Sequence, residues 1–407
     1  MCERSIVFAF VLGVGIAFVP HVRATDIFWN NPAGGDWNVP ANWSPAQVPG
    51  LNDMAFITNN SIVTLSDSQS VARLTLNDST LTVLNQGTLV LGIGSLESGG
   101  GTVSNQGALI FAGDSWRIPA GLTVIQDGVI KGANRGSNYI DSLTVTSNAV
   151  VTHTRGNTNG LQLRVVGALR IESGGRIDVT GKGYRGAGSD GNASGETGET
   201  RGPGAQATIV AGTTRVAGGS YGGFGGFDPG YGGVPNALYG SETAPLDLGS
   251  GGGSIEGSAG NGGGRIEIEA GAMVVAGQIL SDGGNAIGRY GGGGSGGAIF
   301  LRVVNGDFSG NGLVRARGGL GGVLAPAGGG GRIAIVGHGV NSFSGALGRA
   351  GTIFVRGAGA NGNLLVENGG LTIGIGETRQ LDLLVATTNG PLTVLNQGTL
   401  VLGIGSL

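Results

Sequence analysis

Outside its glycine-rich tracts the chain alternates apolar and polar residues in short runs separated by turn residues, as in TVLNQGTLVLG at 82–92 and RIEIE at 265–269. A period of two is that of a strand with one buried face. No segment carries the 3.6-residue spacing of an amphipathic helix. In the second run Ile266 and Ile268 are expected to point into a core, while Arg265, Glu267 and Glu269 face water.

The alternating runs recur. Thr82, Thr102, Thr123, Thr144 and Arg164 hold equivalent places in successive units, at steps of 20, 21, 21 and 20 residues. Arg332, Thr352, Thr372 and Thr393 repeat the beat at 20, 20 and 21. Each unit is a strand, a polar or glycine turn and a second strand, too small to bury its apolar face except against its neighbours. The pattern predicts an all-β fold, a parallel β-helix of about 20 residues per coil. Its irregular steps favour the right-handed form. On this reading Val83, Val103, Val124, Val145 and Val165 form one stacked column. An antiparallel sandwich or a chain of hairpins is the competing architecture, because twenty residues also make one hairpin.

Between the two blocks the units lengthen. Arg265, Ala298 and Arg332 are 33 and 34 residues apart, and the excess is glycine-rich. The expected organisation is a signal peptide (1–24), a Trp-rich N-terminal cap (25–60), β-helix coils (61–180), a glycine-rich insertion (181–264) and further coils with glycine-rich loops (265–407). The insertion and the shorter tracts near Gly291 and Gly328 are expected to be loops leaving the stack, exchanging amide protons faster than the strands, because glycine backbone costs more entropy to order. A longer repeat is also present: LTVLNQGTLVLGIGSL spans Leu81–Leu96 and returns unchanged at Leu392–Leu407, 311 residues later. It preserves even the polar Asn85 and Gln86 as Asn396 and Gln397, which suits a fragment of a longer, internally duplicated protein.

Composition narrows the class. The 89 glycines and 12 prolines bring the chain near the range of low-complexity sequence, yet its apolar residues are plentiful and patterned. With a net charge of −3 and only Lys131 and Lys182 as lysines there is no basic stripe, so nucleic acid is not an expected partner. The apolar run from Ile6 to Val19, after Arg4 and before Val22-Arg23-Ala24, reads as a secretory signal peptide, too short for a comfortable permanent span. Cleavage after Ala24 removes Cys2, the one cysteine, and leaves an exported chain without disulfides or a stable membrane span.

The segment DIFWNNPAGGDWNVPANWSPAQVPGLNDMAFI places Trp29, Asn30, Gly35, Trp37, Asn42, Trp43, Pro49, Asp53 and Ala55 in the order seen at the opening of bacterial autotransporter-associated β-strand repeat proteins and related giant extracellular proteins, which it resembles. The following L-T-V…G-T-L-V-L-G coils are similar to the same group. The resemblance implies a β-helical passenger or surface filament. A weaker likeness joins Gly296-Gly297-Ala298-Ile299 and Phe308-Ser309-Gly310-Asn311 to the repeats of polymorphic outer-membrane adhesins; Phe343-Ser344-Gly345-Ala346 breaks the pattern in a second pair.

Candidate chemistry is sparse. Trp29, Trp37 and Trp43 are candidate ligand-binding residues, since indoles stack on sugar faces; the competing role is to seal the end of the stack. Trp116 is expected in the packing of its coil. Tyr221, Phe224, Phe227 and Tyr231, spaced by glycines, are either an adaptable binding surface or side chains folded back on the wall. Asp178, Asp190, Glu196 and Glu199 could offer oxygen ligands to Ca²⁺, but no calcium nonapeptide accompanies them, and solvated charges are the simpler reading. Arg164, Arg170 and Arg176 with Asp178 are the nearest thing to a polysaccharide-cleaving set. His153 and His338 lie in no metal-ligand spacing. The reading is therefore a non-enzymatic secreted or cell-surface structural repeat protein without cofactor or metal, whose partners would be surface polysaccharide or other cell-surface proteins. A carbohydrate-binding adhesin is the first alternative and a β-helix polysaccharide lyase or hydrolase the second.

Overall fold

The computed structural model describes residues 24–402 apart from 136–137, 193–194, 204–207, 305, 349, 367–370, 374–377, 387–391 and 395–398. The expected signal peptide lies outside the described residues save for Ala24, and so does the second Asn-Gln pair, Asn396 and Gln397. The chain is a parallel β-helix. Its strands form three long faces, and every strand pair along the stack from Met54–Ile57 to Thr352–Gly357 is parallel. No helix among the described residues is long and apolar enough to cross a membrane.

The third face is the most regular. Val63, Leu81, Val103, Val124, Val151, Ile177, Ile279, Val314 and Leu347 lie in register, one per coil. All but the partly buried Leu347 are shut away from solvent. Val103 and Val124 belong to this column. Val83 pairs with Asn105 beside it, Val145 stacks between Ile118 and Ile171 on the second face, and Val165 pairs with Ala270 on the first. The single five-valine column expected from the sequence is therefore corrected. A coil contributes a strand to each of several faces, and equal spacing in sequence does not fix which face a segment occupies once coil length drifts.

The first and second faces meet at a bend within single long strands. Thr88–Ser98, Leu161–Ile171 and Arg265–Val275 each run 11 residues, and their pairing shifts register part-way along. Gly271 sits at such a bend, where a Cβ would strike Val166 O, so a side chain there would push the coils apart. In Arg265–Val275, Ile266 and Ile268 are fully buried and Arg265, Glu267 and Glu269 half-buried outside, as the alternation predicts.

The coils of Ile177, Ile279 and Val314 each leave the stack at one corner, after the third-face strand and before the next first-face strand: 179–264, 281–297 and 316–331. These excursions carry the glycine tracts. Residues 291–297 lie at the centre of a hydrogen-bonded bundle. Gly292 and Ser295 donate to Gly253 and Ser250, Gly293 and Gly296 to Pro326 and Gly329, and Gly294 and Gly297 to Gly284 and Ser281. The same segment accepts from Gly260 and Gly263, from Gly219, and from Gly319 and Gly322. Six neighbours thus surround one segment, and each neighbour with two bonds is engaged at every third residue. That spacing belongs to the extended threefold helix of the polyproline-II type, which has no internal hydrogen bonds and turns its N–H groups outward in three directions.

Glycine is required here sterically. A Cβ on Gly294 would fall on Asn261 O, on Gly293 on Gly319 O, and on Gly297 on Gly264 O. The tracts do leave the β-sheets, as expected, but their centre is not loose: the amides of 292–297 are paired and residues 291–297 are buried, whereas stretches such as 224–240 and 320–328 are mostly exposed or half-buried. Enough hydrogen-bonded neighbours offset the entropy of ordering glycine.

At the far end, Thr352–Gly357 pairs antiparallel with Asn363–Val366, which starts a second parallel stack with Leu383–Ala386. The repeated sequence again forms two strands, Leu392–Val394 and Thr399–Leu402, each paired in parallel with a strand about one coil earlier.

Candidate functional site

The three N-terminal tryptophans are buried together. Trp37 and Trp43 meet edge-to-face at 4.8 Å, Trp29 and Trp43 at 4.9 Å. Trp43 Nε1 donates to Trp37 O and Trp29 Nε1 to Asn31 O. Asp26–Trp29 pairs in parallel with Met54–Ile57 and antiparallel with Trp43–Ser44, so the chain folds back over the end of its own sheet. None of the three indoles has more than 4 % of its surface exposed. The sugar-platform reading of Trp29, Trp37 and Trp43 is corrected, because their faces are spent on one another and on the core. Trp116 is also interior, stacked on Phe111 at 4.3 Å.

The aromatics of the glycine-rich tract divide. Tyr221 is fully buried, against Tyr239 at 4.8 Å and beneath the Arg332 guanidinium at 5.5 Å, and so is corrected as a ligand-binding residue. Phe224 and Phe227 are exposed, and Tyr231 is half-buried with its ring against Tyr290 at 5.4 Å.

Around Tyr221 lies a polar interior that the sequence did not disclose, because its members come from distant tracts. Arg201 sits 2.9 Å from Asp247, Arg332 Nε donates to Tyr239 O and Nη1 to Thr352 Oγ1, and the Tyr239 hydroxyl donates to Leu248 O. Burial raises the Asp247 carboxyl, against the pull of Arg201, Arg265 and Arg332. Burial likewise lifts Tyr184 to about 12 and Tyr239 well above the ordinary phenol value. These neutral phenols and paired charges pin the glycine bundle to the coils.

The four acidic residues do not gather at one site, although Asp190 and Glu196 line a common shallow cleft with Glu256. Glu199 is buried, its carboxylate accepting from Arg185 N, while Asp178 turns its own carboxylate onto Thr180 N and Asp190 and Glu196 are exposed. Among the described residues no three His, Cys, Asp or Glu side chains are placed to hold a metal. Arg164, Arg170 and Arg176 stand on the first, second and third faces respectively, so the structure does not bring them together.

A candidate site built into the wall is at the corner just before the first glycine excursion. The first-face ladder of Thr88–Ser98 and Ala108–Phe111 continues to Val129–Gly132 and stops there. The next rung, the first half of Leu161–Ile171, pairs onward with Arg265–Val275 and touches the preceding coil through an Ile140–Val165 bridge. A cleft of about 440 Å³ opens between the two rungs, lined by Gln126, Asp127, Asn138, Asn159, Gln162 and Arg164.

Its rim is fixed. Asp127 Oδ1 accepts from Thr154 N and Asn157 Nδ2, holding down the 153–160 turn. Gln126 is buried, accepting from Asn105 Nδ2 and donating to Gly128 O. His153, also buried, has Nδ1 2.7 Å from Thr154 O and Nε2 accepting from Arg265 N; desolvation lowers its pKa to about 4, against the pull of Thr154 O and Asp127. The imidazole is thus a neutral strut, with Nδ1 carrying the proton. Sequence reading grouped Arg164 with Arg170, Arg176 and Asp178 and missed the amides, because what gathers them around Arg164 is the break in the ladder.

Comparison with protein-family models, curated proteins and solved structures found no match to this chain.

Proposed function

We propose that the chain is a secreted or cell-surface structural repeat protein of bacterial passenger type, non-enzymatic, acting by stiffness and by display of what its coils carry. The observation that carries this reading is the column from Val63 to Leu347, nine coils in unbroken register, braced along one corner by the glycine bundle. A stack of this kind gives a stiff body whose stability is spread along its length. About nine coils at roughly 4.8 Å each make a rod on the order of 40 Å long. The surface location rests on the signal-like N-terminus and on the resemblance of residues 26–130 to extracellular repeat proteins. Its test is antibody labelling of intact cells of the source organism. Labelling without permeabilisation supports the reading; labelling that needs permeabilised cells overturns it.

A further inference from the structure

We propose that the cleft between Val129–Gly132 and Leu161–Ile171 is a binding site for a short uronate-containing oligosaccharide, with the carboxylate of one sugar on Arg164 and the ring hydroxyls on the amides around it. The two rungs part where the corner turn grows. The turn residues are Asn105-Gln106-Gly107 in one coil and Gln126-Asp127-Gly128 in the next, but 153–160 in the one after that, and the longer turn overhangs the opening. The opening has the size of pockets that take small ligands.

Its lining is polar, and much of it is side-chain amide. Asn138, Asn159 and Gln162 each offer donors and an acceptor, the combination that neighbouring sugar hydroxyls need, since each hydroxyl both donates and accepts. Gln162 is already oriented, its Nε2 donating to Asn159 O at 3.2 Å.

Arg164 supplies the charge preference. Among the described residues no carboxylate pairs with it. Its partner in register, Glu269, is engaged by Arg302 at 3.4 Å and by the Tyr139 hydroxyl at 3.4 Å. The Arg164 guanidinium is 5.8 Å from the centre of the Tyr139 ring, which limits its range of positions. A planar guanidinium so held suits the two oxygens of a carboxylate. With Asp127 on the rim and Glu269 on the neighbouring rung, the site tolerates one negative charge better than the two of a phosphate group. One carboxylate per ring, on a scaffold of hydroxyls, is the chemistry of a uronate.

The test is fluorescence anisotropy of labelled tetragalacturonate with the purified chain. Its comparators are the same oligomer with carboxylates reduced to alcohols, and a tetraglutamate peptide. The expected result is saturable binding to the uronate that weakens about tenfold or more in Arg164→Gln, the size of a lost charge-assisted hydrogen bond. Binding should weaken similarly for the reduced oligomer and in Asn159→Ala at least measurably. Arg170→Gln, exposed on the second face of the same strand and outside the cleft, should leave it unchanged. Absence of saturable binding, equal affinity in wild type and Arg164→Gln, or tetraglutamate binding as tightly as the uronate would each overturn the proposal. Circular dichroism and thermal melting of the same variants check that the coils are intact. Failure of this test leaves the structural reading standing, because cell labelling decides that one.

Discussion

Nε2 of His153 accepts a hydrogen bond from the backbone N–H of Arg265 at 3.3 Å, although 112 residues separate them. The bond closes the mouth of the largest glycine excursion, joining the corner of one coil to the strand with which the next begins. It requires an unprotonated Nε2. The folded-state pKa of about 4 lies below the ordinary 6.5, so the unfolded chain takes up a proton first as pH falls. Stability contributed by neutral His153 is present above pH 6.5 and is lost between pH 6.5 and 4, by on the order of 3 kcal/mol. Urea unfolding across that range should show the loss in the wild type and a reduced loss in His153→Gln. Identical pH profiles would mean that another group governs acid sensitivity.

The alternation within one strand gives a second prediction. Ile268 is fully buried between Leu163 and Leu301, whereas Glu267 lies outside, beside Arg265. Ile268→Asp should cost several kcal/mol in denaturant unfolding, because it buries a carboxylate with no partner. Glu267→Ala breaks a surface pair and should change stability by no more than about 1 kcal/mol. The reverse order would put the wrong face inward.

At the N-terminal end, Trp37→Ala should cost about 3–5 kcal/mol, the usual effect of emptying a large buried site, and lower the melting temperature. A merely exposed sugar-stacking residue would instead lose ligand affinity with little change in melting.

For the glycine bundle, Gly294→Ala and Gly113→Ala make a matched pair. A methyl at 294 meets Asn261 O, while one at 113 meets nothing within 4 Å. Gly294→Ala should destabilise by about 1–3 kcal/mol through overpacking. Gly113→Ala should stay within about 0.5 kcal/mol, as for ordinary surface changes. Equal effects would argue against close packing at 294.

What the sequence disclosed, and what it withheld, follows from where side chains carry information. Ile266 and Ile268 could be assigned inward from alternation alone, and the roughly twenty-residue beat was enough to expect a β-helix. The faces were less legible. Val145 and Val165 keep the step of Val103 and Val124, yet stand on other sheets because coil lengths drift and strands bend at Gly271 and its counterparts. The centre of the glycine tracts was hidden for a deeper reason. A bundle specified by the absence of side chains leaves no hydrophobic pattern, so its sequence looks like that of a disordered linker. The third-residue spacing becomes visible only between segments, as in Gly293 and Gly296 against Pro326 and Gly329. The cleft was hidden similarly, since Gln126, Asn159 and Arg164 meet only where one ladder fails to continue.

The central structural claim is that the centre of the glycine tracts is a packed, hydrogen-bonded body and not a set of flexible loops. Amide hydrogen exchange read by mass spectrometry tests it most directly, comparing peptides covering 291–297 with peptides covering Arg265–Val275 at neutral pH. Protection of 291–297 comparable to that of the strand, and lost together with it in denaturant, is the predicted result. Exchange of 291–297 at the rate of an unstructured chain while Arg265–Val275 stays protected would contradict it.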